Sequence, residues 1–260
     1  MTRAIILAAG QGVRLRPLTD NKPKCLISLH GKTLLERQAQ VLKKAGINNI
    51  HVVGGFCVEQ IRKAGFNCSS NAHYKTTNMV ETLFSARPFT EADGDLIISY
   101  GDIVYQDNNL KKVLGCDGEI SLMIDLNWQR YWELRFEDPL SDAETLIFDD
   151  KGYITELGKK PDGFDQVKGQ YTGLIKVRAD KIKEFSSFYK TLDRQKIYDA
   201  QDFLNMYMTS FIQELIDSNW KVKGVFVENG WLEVDSIEDL EIYKRLSKAG
   251  ELASFCQLES

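Results

Sequence analysis

The sequence predicts an α/β fold built on a doubly wound, mostly parallel sheet with an inserted β-rich lid. Three observations favour this class. An apolar run at residues 4–7 leads directly into a glycine-containing loop. Strand and helix signals then alternate through the first half of the chain, which is typical of βα units. Short buried strands end beside glycine or aspartate, and ligands bind at the carboxyl ends of the strands in such sheets.

The elements of the first half follow one another as βα units. Thr33 and Glu36 form a capping box at the start of one helix, and Gly46 lies just beyond its end. Asn78 has the position of an N-cap for another helix. The predicted strands cover residues 4–7, 50–53 and 95–99, and the predicted helices cover residues 33–44, 58–64 and 78–87.

The middle of the chain departs from this alternation. Residues 127–175 are rich in aromatic side chains, charges and turn signals, and Asp149–Gly152 separates two short strands as in a hairpin. We therefore expect a single domain over residues 1–260, in which residues 127–175 cover one side of the cleft. The other predicted elements are strands at 120–126 and 221–227 and helices at 181–190, at 202–218 and after Ser236.

Composition and charge limit the classes of function. A formal net charge of −4 provides no basic field that would hold nucleic acid. The chain begins with a strand rather than a signal peptide, and no apolar run approaches the length of a membrane span. Scattered cysteines without a C-x-x-C pair fit a reducing compartment. We expect a cytoplasmic protein with no nucleic-acid or membrane partner, and the sequence leaves an oligomer possible.

The loop after the first strand carries the strongest functional signal. Gly10 and Gly12 follow the strand, and Arg14 and Lys24 come next. Exposed backbone N–H groups beside fixed cations are what a polyphosphate requires. The loop therefore predicts a nucleotide site.

Two better-known phosphate loops do not fit this segment. A dinucleotide fingerprint needs a third glycine where Leu15 stands. A Walker A loop needs a glycine where Leu26 stands, although Gly31, Lys32 and Thr33 read G-K-T. We therefore interpret Lys32 as part of a turn before a helix.

Two aspartates form a candidate metal site. Asp102 follows a buried strand, and Asp235 ends an apolar segment just before a helix. A nucleotide-bound Mg²⁺ takes one or two protein carboxylates, so this pair predicts a Mg²⁺ site. The alternative is that Asp235 caps the helix and Asp102 occupies a turn. Arg14 and Lys24 would neutralise a triphosphate, whereas Arg16 is expected to pair with a carboxylate.

The first 38 residues contain the motif ILAAGQGVRLRPLTDNKPKCLISLHGKTLLERQ. The chain resembles the nucleotidyltransferase family that includes sugar-1-phosphate nucleotidylyltransferases and phosphocholine cytidylyltransferases. The resemblance spans nearly the whole chain and implies a Rossmann-like sheet of the nucleotide-diphospho-sugar transferase type. Its other matching pieces are Asn71, N-M-V-E-T-L from Asn78, G-D at 101–102, K-K-P at 159–161, T-G at 172–173 and E-V-D-S at 233–236.

The resemblance implies a reaction and roles for individual residues. In the family, an acceptor phosphate attacks a nucleoside triphosphate and releases pyrophosphate. Arg14 and Lys24 match the catalytic cations, and Asp102 and Asp235 match the Mg²⁺ ligands. The implied acceptor residues are Lys160, which reaches the acceptor phosphate, and Gly173. The implied nucleotide-binding residues are Leu7, Ala8, Ala9, Gly10, Gly12, Arg14, Lys24, Asn71, Asn78, Gly101 and Asp102.

The identity of the acceptor rests on weaker signals. The sequence of the loop and the short length of the chain resemble the cytidylyltransferase branch of the family. This resemblance favours CTP as the nucleotide. The stretch WQRYWELRFEDPLSDAETL resembles transferases that act on phosphocholine, phosphonates or phosphoglutamine. Trp128 and Trp132, four residues apart, suit a quaternary ammonium, or else they pack the lid against the sheet. Arg130 and Arg135 would suit an acidic acceptor better.

Three hypotheses about function follow. The first is a Mg²⁺-dependent enzyme that joins CTP to a small phosphorylated acceptor, yielding a CDP-linked product for capsule or surface-polysaccharide decoration. The second is a sugar-1-phosphate nucleotidylyltransferase that uses UTP, dTTP or GTP. The third is a regulatory subunit that binds nucleotide without catalysis. The presence of Arg14, Lys24, Asp102 and Asp235 favours an enzyme over the third.

Overall fold

Strands and helices alternate along the chain in the computed structural model, which describes residues 1–258. The strands of this part are β1 (Arg3–Ala8), β2 (Ser28–Leu29), β3 (Lys32–Thr33), β4 (Ile50–Gly54), β5 (Cys68–Ser70), β6 (Leu96–Tyr100), β7 (Ile103–Tyr105), β8 (Ile120–Asp125), β9 (Leu146–Phe148), β10 (Ile154–Leu157), β11 (Gln170–Val177), β12 (Val222–Val227) and β13 (Trp231–Glu233). Its α-helices are α1 (Leu34–Lys44), α2 (Val58–Lys63), α3 (Met79–Ser85), α4 (Arg87–Thr90), α5 (Asp107–Gly115), α6 (Trp128–Arg135), α7 (Ile182–Thr191), α8 (Met208–Asp217) and α9 (Ile237–Ala249).

The central sheet has seven strands in the order β12-β8-β11-β6-β1-β4-β5 within the described residues. Strand β1 pairs in parallel with β4 and β6, and β8 pairs in parallel with β12. Strand β11 runs antiparallel to both of its neighbours, β6 and β8. The predicted mostly parallel sheet is therefore confirmed, and β11 starts at the edge where the parallel strands end.

Both faces of the sheet are covered, as a doubly wound fold requires. Ala4 and Ile6 of β1 belong to one apolar cluster, and Ile5 and Leu7 belong to the other. Successive residues of a strand point to opposite faces, so a strand buried on both sides is apolar throughout. Side chains of α1, α5, α6 and α9 complete the first cluster, and those of α3, α7 and α8 complete the second.

The predicted helix starts are confirmed by their caps. Thr33 and Glu36 form a capping box at α1, and Ser236 and Asp239 form another at α9. Asn78 Oδ1 accepts the Met79 amide at 2.8 Å at the start of α3. The helix predicted at 78–87 is interrupted: α3 ends at Ser85, and α4 begins at Arg87 with a proline in its first turn.

The region predicted as a lid, 127–175, contains three different structures. The hairpin is confirmed, since β9 and β10 pair antiparallel. Helix α6 instead packs in the first apolar cluster and contacts α9. Strand β11 belongs to the central sheet, so the elaboration ends before Gln170. None of the helices in residues 1–258 combines the length and apolar character needed to cross a bilayer.

Strand β11 was not predicted from the sequence, because polar residues interrupt its apolar pattern. Thr172 and Lys176 are buried in this strand and therefore break its apolar pattern. Their polar groups are satisfied: Thr172 Oγ1 donates to the Met123 carbonyl at 3.1 Å, and Lys176 Nζ donates to the Leu114 and Cys116 carbonyls at 2.8 Å. Buried polar groups with hydrogen-bond partners are compatible with a central strand.

Candidate active site

The loop after β1 folds back over Lys24. Gly12 has φ +63°, and a Cβ placed there would lie 3.0 Å from Lys24 Cβ. Thr19 Oγ1 donates to the Gly12 carbonyl at 2.7 Å and fixes the turn. Both the backbone angle and the close approach favour glycine, so the loop holds the Lys24 stem in one place.

Lys24 lies between the two aspartates that the sequence predicts as metal ligands. Its Nζ is 2.8 Å from Asp102 Oδ2 and also contacts Asp235 Oδ1. Arg14 donates to the other oxygen of Asp235 at 2.6 Å. The Lys24 side chain is only 14% exposed, so its charge is held at the site rather than in solvent. Arg16, as predicted, pairs with a carboxylate, Asp20, at 3.5 Å.

A short antiparallel pair brings the distant aspartates together. Strand β7 begins just after Asp102, and β13 ends just before Asp235. The two strands pair with Glu233 opposite Ile103, and the Val234 amide donates to the Asp102 carbonyl at 3.0 Å. Asp102 also follows β6, so both carboxylates reach the carboxyl edge of the sheet beside the glycine loop.

The charges of the site shift one another's pKa. Burial alone would lower the pKa of Lys24, but the carboxylates of Asp102, Asp235 and Glu233 raise it. Burial opposes ionisation of Asp235, yet Lys24 and Arg14 lower its pKa. Burial raises the pKa of Glu233, which Arg135 counteracts. Lys24 is therefore charged at any ordinary pH.

The carboxylates have the chemistry of a divalent-cation site. Oxygens of Asp102, Glu233 and Asp235 lie within 4.8 Å of one another, and Asp102 Oδ1 is buried without a hydrogen-bond partner in the described residues. Mg²⁺ prefers oxygen ligands and takes few carboxylates beside phosphate oxygens and water. The residues present therefore fit Mg²⁺.

Arg135 is a structural cation rather than a free one. Its side chain is 2% exposed, and it donates to Glu233 at 2.7 Å and to Asp239 at 2.8 Å. Arg130 lies over the Phe255 ring, 4.1 Å from its centroid. The idea that these two arginines face an acidic acceptor is wrong, because their partners are helix α9, strand β13 and the C-terminal segment.

The glycine loop and the two aspartates line a cavity of about 360 Å³ at the carboxyl edge of the sheet. Asn71 does not line this cavity but lies behind it, and its Nδ2 donates to the hydroxyls of Thr77 and Thr82 at 3.0 Å. Both threonines line the cavity, so Asn71 shapes it from the second layer. The predicted nucleotide-binding residues that line it are Leu7, Ala8, Ala9, Gly10, Gly12, Arg14, Lys24, Asn78, Gly101 and Asp102.

A second cavity of about 200 Å³ adjoins the first. Met79, Tyr100 and Asp235 line both, so the two cavities share a wall beside Lys24. Of the predicted acceptor residues, Gly173 and Trp132 line the second cavity. Its other described lining residues are Asp142, Glu144, Gln170, Tyr171, Thr172, Tyr207, Met208, Thr209, Trp231 and Glu233.

Two predicted acceptor residues lie outside the walls of this cavity. Trp128 is 4% exposed and stacks on Phe164, with ring centroids 6.1 Å apart. Its contacts are those of a packing residue, which is the alternative the sequence left open. Lys160 is exposed and donates to the carbonyls of Leu140 and Ser141, which ties down the turn before β9. To reach an acceptor phosphate, Lys160 would have to exchange these partners.

Comparison with known proteins agrees with this geometry. Residues 4–116 match the model of the MobA-like NTP transferase domain. Over 249 residues, the chain is 43% identical to the CTP:phosphoglutamine cytidylyltransferase of Campylobacter jejuni subsp. jejuni serotype O:2, a match that covers 92% of this chain and 98% of that protein. The chain belongs to the nucleotidyltransferase family. Within it, the chain lies on the branch of small cytidylyltransferases, as its first motif predicts.

A second sequence relative is consistent with this membership, and a solved structure shares the fold. The choline-phosphate cytidylyltransferase of Streptococcus pneumoniae is 27% identical over 261 residues, covering 95% of this chain and 97% of that one. The inositol-1-phosphate CTP transferase from T. maritima superposes with a TM-score of 0.72 at 21% identity, covering 99% of this chain and 98% of that one. The second likeness concerns the fold.

Two residues of this nucleotidyltransferase site escaped the sequence interpretation. Glu233 lies two residues before Asp235 at the end of a strand. Because side chains at i and i+2 of a strand share a face, the sequence E-V-D could have predicted that Glu233 lies beside Asp235. Tyr100 ends β6 and lines both cavities. Its role depends on the approach of β11, which no local pattern indicates.

Gly173 is the place where β11 closes on Tyr100, and alanine there should destabilise the protein. Gly173 has φ +87°, and an added Cβ would lie 2.6 Å from Tyr100 Cδ2. We expect Gly173→Ala to lower the free energy of unfolding by about 2 kcal/mol, since left-handed backbone strain and the overlap act together. Urea unfolding measures this loss.

Gly115→Ala is the matched control. Gly115 ends α5, and a Cβ there meets nothing within 4 Å. This change should be neutral or stabilise by up to about 1 kcal/mol. Equal stability of the two variants would contradict the close approach at Gly173.

Proposed function

We propose that this protein transfers a cytidylyl group from CTP to a small phosphorylated acceptor of the phosphoglutamine class and releases pyrophosphate. The observation that carries the proposal is the position of Lys24. Its ammonium lies between Asp102 and Asp235 where the two cavities share a wall. A nucleotide on one side and an acceptor on the other would meet at this charge.

The arrangement supports catalysis by positioning and electrostatics. An acceptor phosphate oxygen in the second cavity would attack the α-phosphorus of CTP in the first, and the bond to the β-phosphate oxygen would break. Lys24 would stabilise charge on the α-phosphate, and Arg14 would leave Asp235 to pair with the outer phosphates. Fixed charges in a partly buried site act more strongly than in water and require no protein nucleophile.

We further propose that Asp102 and Asp235, with Glu233 beside them, hold Mg²⁺. When bound, the ion would offset the negative charge of the triphosphate. The support is the set of carboxylate oxygens and the unpartnered Asp102 Oδ1. The chain's own task is to fix these carboxylates, which the β7–β13 pair and Arg135 do.

The choice of CTP and acceptor rests on relatives. The protein from C. jejuni that is 43% identical acts, by its name, on CTP and phosphoglutamine, and the S. pneumoniae relative is a choline-phosphate cytidylyltransferase. We propose that the CDP-linked product is made in the cytoplasm and serves capsule or surface-polysaccharide decoration. Free thiols at all five cysteines fit a reducing compartment.

A matrix of substrates tests the proposal. Purified protein is incubated with Mg²⁺, each of CTP, UTP, dTTP and GTP, and either phosphoglutamine, phosphocholine, 2-aminoethylphosphonate or a sugar 1-phosphate, while pyrophosphate is followed. We expect release with CTP and phosphoglutamine above every other pair. Release only with a sugar 1-phosphate and a nucleotide other than CTP would refute the cytidylyl assignment.

A further inference from the structure

The second cavity is strongly acidic. Four carboxylates line it, at Asp142, Glu144, Glu233 and Asp235, and no lysine or arginine is among its described lining residues. Glu233 and Asp235 have cations beside them, since Arg135 and Lys24 pair with them. At the end of the cavity that adjoins the first cavity, the carboxylates therefore have cations beside them. At the other end, Asp142 and Glu144 have no cation among the described lining residues.

Glu144 is the most enclosed carboxylate at that acidic end. Burial, then the charges of Asp142 and Asp199, raise its pKa to about 7, and a hydrogen bond from Thr209 opposes this effect. Its backbone is clamped on both sides by Gln170, which accepts the Glu144 amide at 3.2 Å and donates to its carbonyl at 2.6 Å. The charged groups that act on Glu144 are thus acidic, and its position is fixed.

A partly buried carboxylate without a cation beside it is unfavourable unless a ligand supplies the positive charge. We propose that Glu144 binds a primary ammonium group of the acceptor and thereby restricts this site to amine-bearing acceptors. The inference rests on the proposed function, because it assigns the second cavity to the acceptor.

The charges along the second cavity determine which way round the acceptor would bind. Its phosphate must lie near Lys24 and Asp235, where the nucleotide is, because the carboxylates at the other end would repel it. The ammonium then extends toward Glu144 along walls formed by Tyr100, Trp132 and Trp231. Aromatic faces accept any ammonium, but only one with N–H groups can also donate hydrogen bonds to a carboxylate. An acceptor with a primary ammonium meets this condition, and a quaternary ammonium does not.

Glu144→Gln tests the proposal because it keeps the shape and removes the charge. Steady-state kinetics with phosphoglutamine should show KM for this acceptor raised about 10- to 100-fold, since the ammonium loses its anionic partner and the hydrogen bond loses its charge assistance. The kcat and the KM for CTP should change less than about threefold. The control is Glu156→Gln, a carboxylate of the neighbouring hairpin that pairs with Lys159 on the surface.

Two further measurements separate charge recognition from a structural role. An acceptor analogue that lacks the amino group should bind the wild type and Glu144→Gln equally well. In addition, acceptor KM of the wild type should rise as pH falls below about 7, because Glu144 loses its charge when protonated, with Asp142, Asp199 and the Tyr100 and Tyr171 hydroxyls as the titratable groups around it. Glu144→Gln should show a flatter profile.

The outcomes are distinguishable. An unchanged acceptor KM in Glu144→Gln, or an equal rise for the acceptor and its analogue without the amino group, would overturn the role of Glu144 while leaving the proposed function intact. Absence of turnover by the wild type with every acceptor would refute the proposed function, and this inference with it. Thermal unfolding of each variant shows whether a kinetic change reflects loss of the fold.

Discussion

Replacing Lys24 with methionine should lower kcat/KM for CTP about 10²- to 10³-fold, the range found when one preorganised charge or donor is removed from a transition-state site. Methionine keeps much of the aliphatic stem, so the packing against Gly12 remains while the ammonium is lost. The effect should fall mainly on kcat, because the charge on the reacting phosphate grows toward the transition state.

Lys63→Met is the matched control for this experiment. Lys63 ends α2, is exposed and lies outside both cavities. Its replacement should leave turnover within about twofold of the wild type. If Lys24→Met retained full activity, the reaction would not take place beside Lys24 where the two cavities meet. The fold and the family would still stand.

Replacing Asp235 with asparagine should cause a loss of similar or greater size. Asp235 holds both Lys24 and Arg14, and it is one of the three carboxylates grouped for a divalent cation. Asparagine keeps the shape but removes the charge that a cation requires. We expect kcat to fall at least about 10²-fold and binding of Mn²⁺, measured by electron paramagnetic resonance in the presence of CTP, to weaken at least about tenfold.

Mn²⁺ binding to Lys24→Met, measured in the same way but without CTP, should show the opposite change. Without nucleotide, the Lys24 ammonium occupies the space between Asp102 and Asp235, so its removal leaves their charge uncompensated. Mn²⁺ should then bind more tightly to Lys24→Met than to the wild type in the absence of CTP. Asp217→Asn, at the exposed end of α8, should leave Mn²⁺ binding unchanged. Unchanged Mn²⁺ binding in both active-site variants would contradict the proposed metal ligands.

The features that could be predicted from the sequence depend on local chemistry. The caps at Thr33, Asn78 and Ser236 require only residues within one helical turn, and all three are present. The glycine loop and Lys24 are close in sequence as well as in space. Local patterns therefore predicted most of the sheet, the capped helix starts and the glycine loop that lies against Lys24.

The features that escaped prediction depend on long-range pairing. The β7–β13 pair that places Glu233 beside Asp102 joins segments far apart in the chain. Arg135 resembled a ligand-binding cation until its buried partners, Glu233 and Asp239, were visible. Glu144 lies within the stretch WQRYWELRFEDPLSDAETL, but nothing in that stretch distinguishes it, because its character comes from burial and from neighbours that only the fold supplies.

The stereochemical course at the α-phosphorus tests the central claim most directly. The claim is that the acceptor attacks CTP in one in-line step at the junction of the two cavities, without a covalent enzyme intermediate. One diastereomer of CTP with sulfur on the α-phosphate is used with phosphoglutamine and Mg²⁺, and the configuration of the CDP-linked product is determined. A single displacement predicts inversion. Retention would reveal two successive displacements through a protein nucleophile and would contradict the account.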